Sequence, residues 1–165
     1  EKYRSIIHSI RRLIPQATLF TDIIVGFTGE TEEQFENTRL AMEEFKFNMS
    51  YTAIYSPRPG ATSHRWVDDI PIDEKKRRLH ALTDQLRKHS LPYNEKLVGR
   101  TVRVLVRNTD RKEGYLTSHT EGKLIIRFAS ENNNLIGQFA DVKVTSATDF
   151  SMEGELVKVV DSVEV

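Results

Sequence analysis

The chain has 165 residues, 38% of them hydrophobic, with 24 Lys and Arg against 24 Asp and Glu. That is room for one large domain or two small ones of ordinary globular composition, and no run approaches the roughly 18 apolar residues that a bilayer-spanning helix needs. Cysteine is absent, which removes disulfides, thiolate nucleophiles and cysteine-bound metal clusters from what this chain does alone.

The amino terminus, Glu1-Lys2-Tyr3-Arg4, is charged and lacks an initiator Met. It does not read as a signal peptide, so a fragment or processed chain is expected, cytoplasmic by default. The first 96 residues carry 15 cations and 14 anions, the remainder 9 and 10. Neither part has the bulk basicity of a typical nucleic-acid binder, and any RNA contact has to come from local patches.

Residues 1 to about 96 alternate helix-like and strand-like segments. "YRSIIHSIRRLI" places Ile6, Ile7, Ile10, Leu13 and Ile14 at helical spacing and stops at Pro15. "TLFTDIIVGF" reads as a buried strand, and its Ile23-Ile24-Val25 run predicts a parallel sheet covered on both faces. Thr31 and Gln34 form a T-x-x-Q capping box. The helix it starts carries Phe35, Thr38, Met42 and Phe45 on its inner face. "MSYTAIY" is the next strand, and "SPRPGATSHRWVDDIP" is a loop by its Pro, Gly and Ser content. Asp73 then caps a long helix with Leu79, Leu82, Leu86, Tyr93 and Leu97 on one side, which Pro92 is expected to kink or interrupt. The order α-β-α-β-α predicts right-handed parallel βαβ units. Two strands are too few for an independent sheet, so this part reads as truncated.

After Gly99 the period changes to two. "TVRVLVR" puts Val102, Val104 and Val106 on one face and Thr101, Arg103, Leu105 and Arg107 on the other. "GYLTSH", "KLIIRF", "GQFADVKVT" and "GELVKVV" supply four more short strands. The fold class is therefore α/β followed by a small closed antiparallel barrel of the OB-like kind, with domains 1–96 and 97–165.

Candidate sites follow from these placements. Gly26-Phe27-Thr28-Gly29-Glu30 ends the first strand. It is either a tight turn with Glu30 near a helix amino terminus or a backbone-lined ligand site at a strand end. Its spacing matches neither the dinucleotide glycine motif nor a P-loop. Arg58, held between Pro57 and Pro59, suits a carboxylate or phosphate, or a structural salt bridge to Glu30 or Asp22. "DEKKRR" at 73–78 is a solvated helix face or an RNA-phosphate contact. On the barrel, Arg103, Arg107, Arg111, Lys112, Arg127 and Lys143, with Tyr115 and His119 nearby, are ordinary surface charge or a surface for looped RNA. The five histidines show no metal spacing, and no catalytic residue or metal site is expected in this chain.

Taken together, "TDIIVGFTGETEEQF", "YSPRPGA", "DDIPIDEKKRRL", "LVGRTVRVLV", "LIGQFADVKVTSA" and "GELV" resemble the radical-SAM tRNA methylthiotransferases, the MiaB-like family. The resemblance covers nearly the whole chain. It implies that residues 1–96 are the last part of a radical-SAM partial β/α barrel and that 97–165 are a TRAM domain, an RNA-binding barrel. It implies S-adenosylmethionine as cofactor, with Asp22, Gly26, Phe27, Gly29, Glu30 and Arg58 on its side of the barrel. It also implies two four-iron four-sulfur clusters whose ligands lie outside this chain. The implied product is a 2-methylthio group on isopentenyladenosine beside the anticodon, with the threonylcarbamoyladenosine branch second. The implied partners are the tRNA anticodon stem-loop and the amino-terminal half of the enzyme. Thr28 in place of a proline, and His119 in place of an arginine, depart from the family pattern.

Three readings follow: a carboxyl-terminal half that is inactive alone, a stand-alone tRNA-binding module, and a barrel that docks on protein. The edge of the Ile23-Ile24-Val25 strand is also expected to favour self-association.

Overall fold

Two parallel strands and one closed five-stranded barrel make up the sheets of this protein. The computed structural model describes residues 1–160, and the chain divides into two compact units, residues 1–90 and those from Leu91 on. The first unit runs α1 (Lys2–Leu13), β1 (Phe20–Val25), α2 (Glu32–Phe45), β2 (Met49–Ile54), a 3₁₀ turn (Thr62–Arg65) and α3 (Ile72–Glu95), whose last turn belongs to the second unit. The second holds β3 (Thr101–Thr109), β4 (Tyr115–Thr120), β5 (Ile125–Ala129), β6 (Phe139–Ala147) and β7 (Met152–Val160).

The helix α2 starts where its cap predicts. The Thr31 hydroxyl accepts from Gln34 N at 3.2 Å, and the Gln34 side-chain carbonyl accepts from Thr31 N at 2.9 Å. Glu32 and Glu33 lie in its first turn, where the helix dipole favours them. At the other end Lys46 turns left-handed (φ 51°). There the Arg11 guanidinium donates to the carbonyls of Phe45 (3.3 Å) and Lys46 (2.8 Å), which the helix itself cannot satisfy. Phe35, Met42 and Phe45 are buried, as the spacing requires.

Strands β1 and β2 pair in parallel, from Phe20 opposite Met49 to Val25 opposite Ile54. The expectation of cover on both faces fails: Val25 is fully buried, yet Ile24 is 57% and Tyr51 59% exposed. Alternation sends Val25 and Ile24 to opposite faces, and with only two strands the face of Asp22, Ile24 and Tyr51 stays open. In α1 only Ile7 is buried, while Ile6, Leu13 and Ile14 remain exposed. The broad apolar stripe expected there narrows to one fully buried position. The helix α3 begins at Ile72, so Asp73 sits in its first turn rather than at the cap, and it runs unbroken through Pro92.

The barrel core alternates as its sequence does: Val104, Val106, Leu116, Ile126, Phe128, Ala140, Val142, Val144 and Met152 are all buried. The strand order is β3-β4-β5-β7-β6. One seam differs from the antiparallel expectation. β5 and β7 pair in parallel, Ile126 with Met152 and Phe128 with Gly154, because β6 pairs with β3 and leaves the place beside β5 to the last strand. The helix tail is tied to the β6–β7 loop through Asn94, whose amide donates to Thr148 O at 2.9 Å.

Gly154 sits where β7 meets both neighbours. A Cβ there would lie 2.6 Å from Lys143 O and 2.6 Å from Val142 Cγ1, closer than packed atoms tolerate. Gly154→Ala is expected to lower barrel stability by about 1–3 kcal/mol, an overpacking cost. Urea unfolding followed by circular dichroism measures it, and an unchanged midpoint would contradict the tight seam.

Candidate functional site

The β1 strand hands over to α2 through Gly26 and Gly29, both left-handed (φ +67° and +77°). The space above Gly26 is filled by α3. A methyl group at Gly26 would overlap the Cγ of Lys75, so a side chain is excluded there by sterics as well as by φ. The Gly26 amide donates to the Glu30 carboxylate at 2.7 Å, and the Glu30 amide donates back to Phe27 O at 2.8 Å. Gly29 N donates to Asp69 Oδ1 at 2.9 Å, with open space where a Cβ would be. The Thr28 hydroxyl is buried and has no hydrogen-bond partner among the described residues.

Two cations of α3 hold this turn. Arg78, almost fully buried, donates to Glu30 O (2.9 Å), Glu30 Oε2 (2.6 Å) and Glu74 Oε1 (2.7 Å). Burial opposes its charge, but the bonds to Glu30 and Glu74 outweigh that and leave its pKa raised. Lys75, 3% exposed, donates to Tyr55 O at 3.2 Å and to both oxygens of Asp68 at 2.5 and 2.7 Å. Arg77 joins Glu32 (2.6 Å) and Glu74 (2.7 Å) on the outer side. Around the turn Phe27 packs edge-on against Tyr55 at 4.7 Å and Trp66 at 5.7 Å between ring centres.

Of the residues singled out by sequence, Gly26, Phe27, Gly29 and Glu30 therefore lie together. Glu30 has a salt bridge, but its partner is Arg78 and not Arg58. Arg58 is exposed, with no side-chain partner among the described residues. Asp22 is exposed on the open face of β1, in register with Tyr51. The "DEKKRR" run is not a uniformly solvated face: Lys75 and Arg78, three apart, point inward, while Lys76 and Arg77 stay outside. That i, i+3 spacing is the signal by which sequence reasoning finds them.

The barrel cations sort into two sets. Arg103 pairs with Asp141 (3.1 Å), Lys112 with Glu153 (3.4 Å) while lying 3.7 Å over the Tyr115 ring, and Arg127 with Asp110 (2.8 Å). Asp110 is held below the ordinary carboxylate range, first by the Thr117 hydroxyl, then by the Lys112 amide. Arg107, Arg111 and Lys143 are exposed and have no carboxylate partner among the described residues. His119 is half-buried; burial, then Arg107 and Lys123, push its imidazole below its ordinary value, so it is neutral near pH 7. Lys123, Leu105 and Phe139 complete this surface and were not among the sequence-derived candidates.

Among the described residues no group of three or more His, Asp or Glu is arranged to hold a metal ion, and no helix is long and apolar enough to cross a membrane.

Residues 95–157 match the TRAM domain family. The chain is similar to the tRNA-2-methylthio-N(6)-dimethylallyladenosine synthase of Pseudomonas paraeruginosa, with 38% identity over 95% of this chain and 35% of the relative. It is similar to that of Cronobacter sakazakii, with 35% identity over 97% of this chain and 34% of the relative. It is likewise similar to that of Escherichia coli O139:H28, with 36% identity over the same shares. The chain thus spans about a third of the length of these relatives. The resemblance to the tRNA methylthiotransferases and the TRAM barrel expected from the sequence are borne out.

The two glycines are expected to differ on substitution. Gly29→Ala costs only left-handed strain, about 1–2 kcal/mol, since its methyl meets nothing within 4 Å. Gly26→Ala adds displacement of Lys75, for a total of about 3 kcal/mol or more. Denaturation followed by the fluorescence of Trp66, the one tryptophan, separates them. Acid has its own signature. Arg77 first, then Arg78, holds the Glu74 carboxyl down to about 2 from an ordinary 4.5. A depressed carboxyl stabilises the fold above its unfolded value, and that stabilisation is lost as pH falls from 4.5 towards about 2. Glu74→Gln is expected to be less stable at neutral pH and flatter across that acid window in pH-dependent melts.

Proposed function

We propose that this chain is the carboxyl-terminal part of a tRNA methylthiotransferase that adds a 2-methylthio group to isopentenyladenosine next to the anticodon. The observation that carries this reading is the match along 94–97% of the chain to synthases of that name. On this reading residues 1–96 are the end of a radical-SAM partial barrel, residues 97–165 are the TRAM domain, and the enzyme works in the cytoplasm, where tRNA is. The names of the relatives favour the dimethylallyl branch over the threonylcarbamoyl one.

S-adenosylmethionine and the iron–sulfur clusters supply the radical chemistry and the sulfur when bound. This chain has no cysteine to hold a cluster, so cluster ligation falls to the part of the enzyme outside it. The strand-end turn fits a cofactor edge. Gly29 has open space beside it, Phe27 is exposed, and the unpartnered Thr28 hydroxyl offers a donor and an acceptor. The Gly26 amide is already taken by Glu30. Cofactor contact therefore falls on Phe27 to Gly29 and on the exposed Asp22 and Arg58, with Gly26, Glu30, Lys75 and Arg78 keeping the turn in place. The open face of Asp22, Ile24 and Tyr51 and the exposed Ile6, Leu13 and Ile14 of α1 are the surfaces for the amino-terminal half. Left uncovered, the same surfaces drive self-association of the chain. On the barrel, the unpaired Arg107, Arg111 and Lys143 and the half-buried His119 face the tRNA, while Arg103, Lys112 and Arg127 are partly neutralised by their carboxylates.

A stand-alone RNA-binding module is the second reading, favoured by those unpaired cations. Exchange of the matching segment of the Pseudomonas paraeruginosa synthase for this chain discriminates. In cells that lack their own synthase, the hybrid is expected to restore 2-methylthio-N(6)-dimethylallyladenosine in tRNA, read by mass spectrometry. A stably folded hybrid that leaves the nucleoside without its methylthio group would sink the catalytic reading and leave the RNA-binding module.

A further inference from the structure

Four strands of the barrel place one side chain each in a single outward row. His119 stands opposite Ile125 on one side and Leu105 on the other, and Leu105 stands opposite Phe139. Phe139 is 47% exposed, and Leu105, His119 and Ile125 are half-exposed. Three gaps between neighbouring strands make this row about 14 Å long. It has an imidazole and a phenyl ring on either side of a leucine. Arg107, displaced by the bulge between Val106 and Asn108, and Lys123, in the β4–β5 turn, both act on the His119 ring from its margins. Neither has a carboxylate partner among the described residues, although Glu121 shares the turn of Lys123.

Size and charge select the occupant. A stable protein interface buries about 800 Å² per partner around an apolar centre, more than four half-covered side chains offer. An unstacked nucleobase is a flat apolar plate of the row's width, attached to the anions that two uncompensated cations attract. A neutral imidazole stacks on a base without adding a third cation.

We infer that Leu105, His119 and Phe139 form a stacking subsite for an unpaired RNA base, with Arg107 and Lys123 holding the phosphates beside it. The inference rests on the RNA-binding part of the proposed function and adds to it a preference for single-stranded over paired RNA.

The test is fluorescence anisotropy with the full chain and two labelled probes, an oligoadenylate of about twelve nucleotides and an RNA duplex of the same length, at low and moderate salt. The single strand is expected to bind more tightly, with salt-sensitive affinity. Phe139→Ala is expected to weaken it about tenfold and to leave duplex binding unchanged. Phe139→Leu, which keeps apolar bulk and removes the π face, is expected to lose as much as Ala, and His119→Phe to retain binding. The double variant Arg107→Ala, Lys123→Ala is expected to reduce the salt slope by about two for the single strand. Thermal melts show that each variant is folded; should Phe139→Ala fail to fold, Phe139→Leu carries the comparison. Salt-sensitive RNA binding indifferent to Phe139→Leu overturns the stacking subsite and leaves RNA binding by the chain standing. Absence of binding to either probe overturns both.

Discussion

Lys75 and Arg78 enter the interior of the first unit as charges, and a charge leaves water at a cost of several kcal/mol unless carboxylates and carbonyls replace its hydration. Much of what surrounds the end of β1 answers that requirement. Asp68 comes from the loop before α3, the Tyr55 carbonyl from the end of β2, and the Glu30 carboxylate and carbonyl from the turn after β1. One helical turn of α3 thereby ties both strand ends and a loop together. Gly26 is a consequence of the same arrangement, because the Lys75 stem lies where its side chain would be. The turn is thus fixed by the protein's own ions, and its outer rim at Phe27 to Gly29 is left for other contacts.

Local pattern made much of the fold legible. The period of two in β3 and β6 gave the barrel interior residue by residue, and Thr31 with Gln34 located the start of α2. What local pattern does not carry is which strand sits beside which. The parallel β5–β7 seam depends on β6 crossing to β3, a choice made over tens of residues. Nor does an apolar run report how many strands will cover it. Ile23-Ile24-Val25 has the composition of a doubly covered strand, but Ile24 is exposed because β2 alone pairs with β1.

The candidate site was legible as a place more than as a set of interactions. Glycines at a strand end marked the turn, and a basic run at the start of α3 was visible, but the two were not connected. Arg58, framed by prolines, drew attention that belonged to Arg78, 48 residues beyond Glu30 in the chain. On the barrel, Arg103 and Arg107 are two apart on one strand and equivalent in pattern. Asp141 on a neighbouring strand neutralises the first, and a bulge carries the second away. Whether a cation is free for a phosphate is therefore decided by cross-strand partners.

The position of β7 bears on how the barrel is made. The first four strands pair in the order β5-β4-β3-β6, an open sheet with two bare edges, and the last strand to leave the ribosome fills the gap between them. Until Met152 to Val160 have emerged, both edges are templates for pairing with another nascent chain. Closure awaits contacts distant in sequence, the slow kind to form. The carboxyl-terminal strand is thus the step that commits the domain to its monomeric form, and a stalled ribosome or a clipped terminus would leave a sheet ready to join its neighbours.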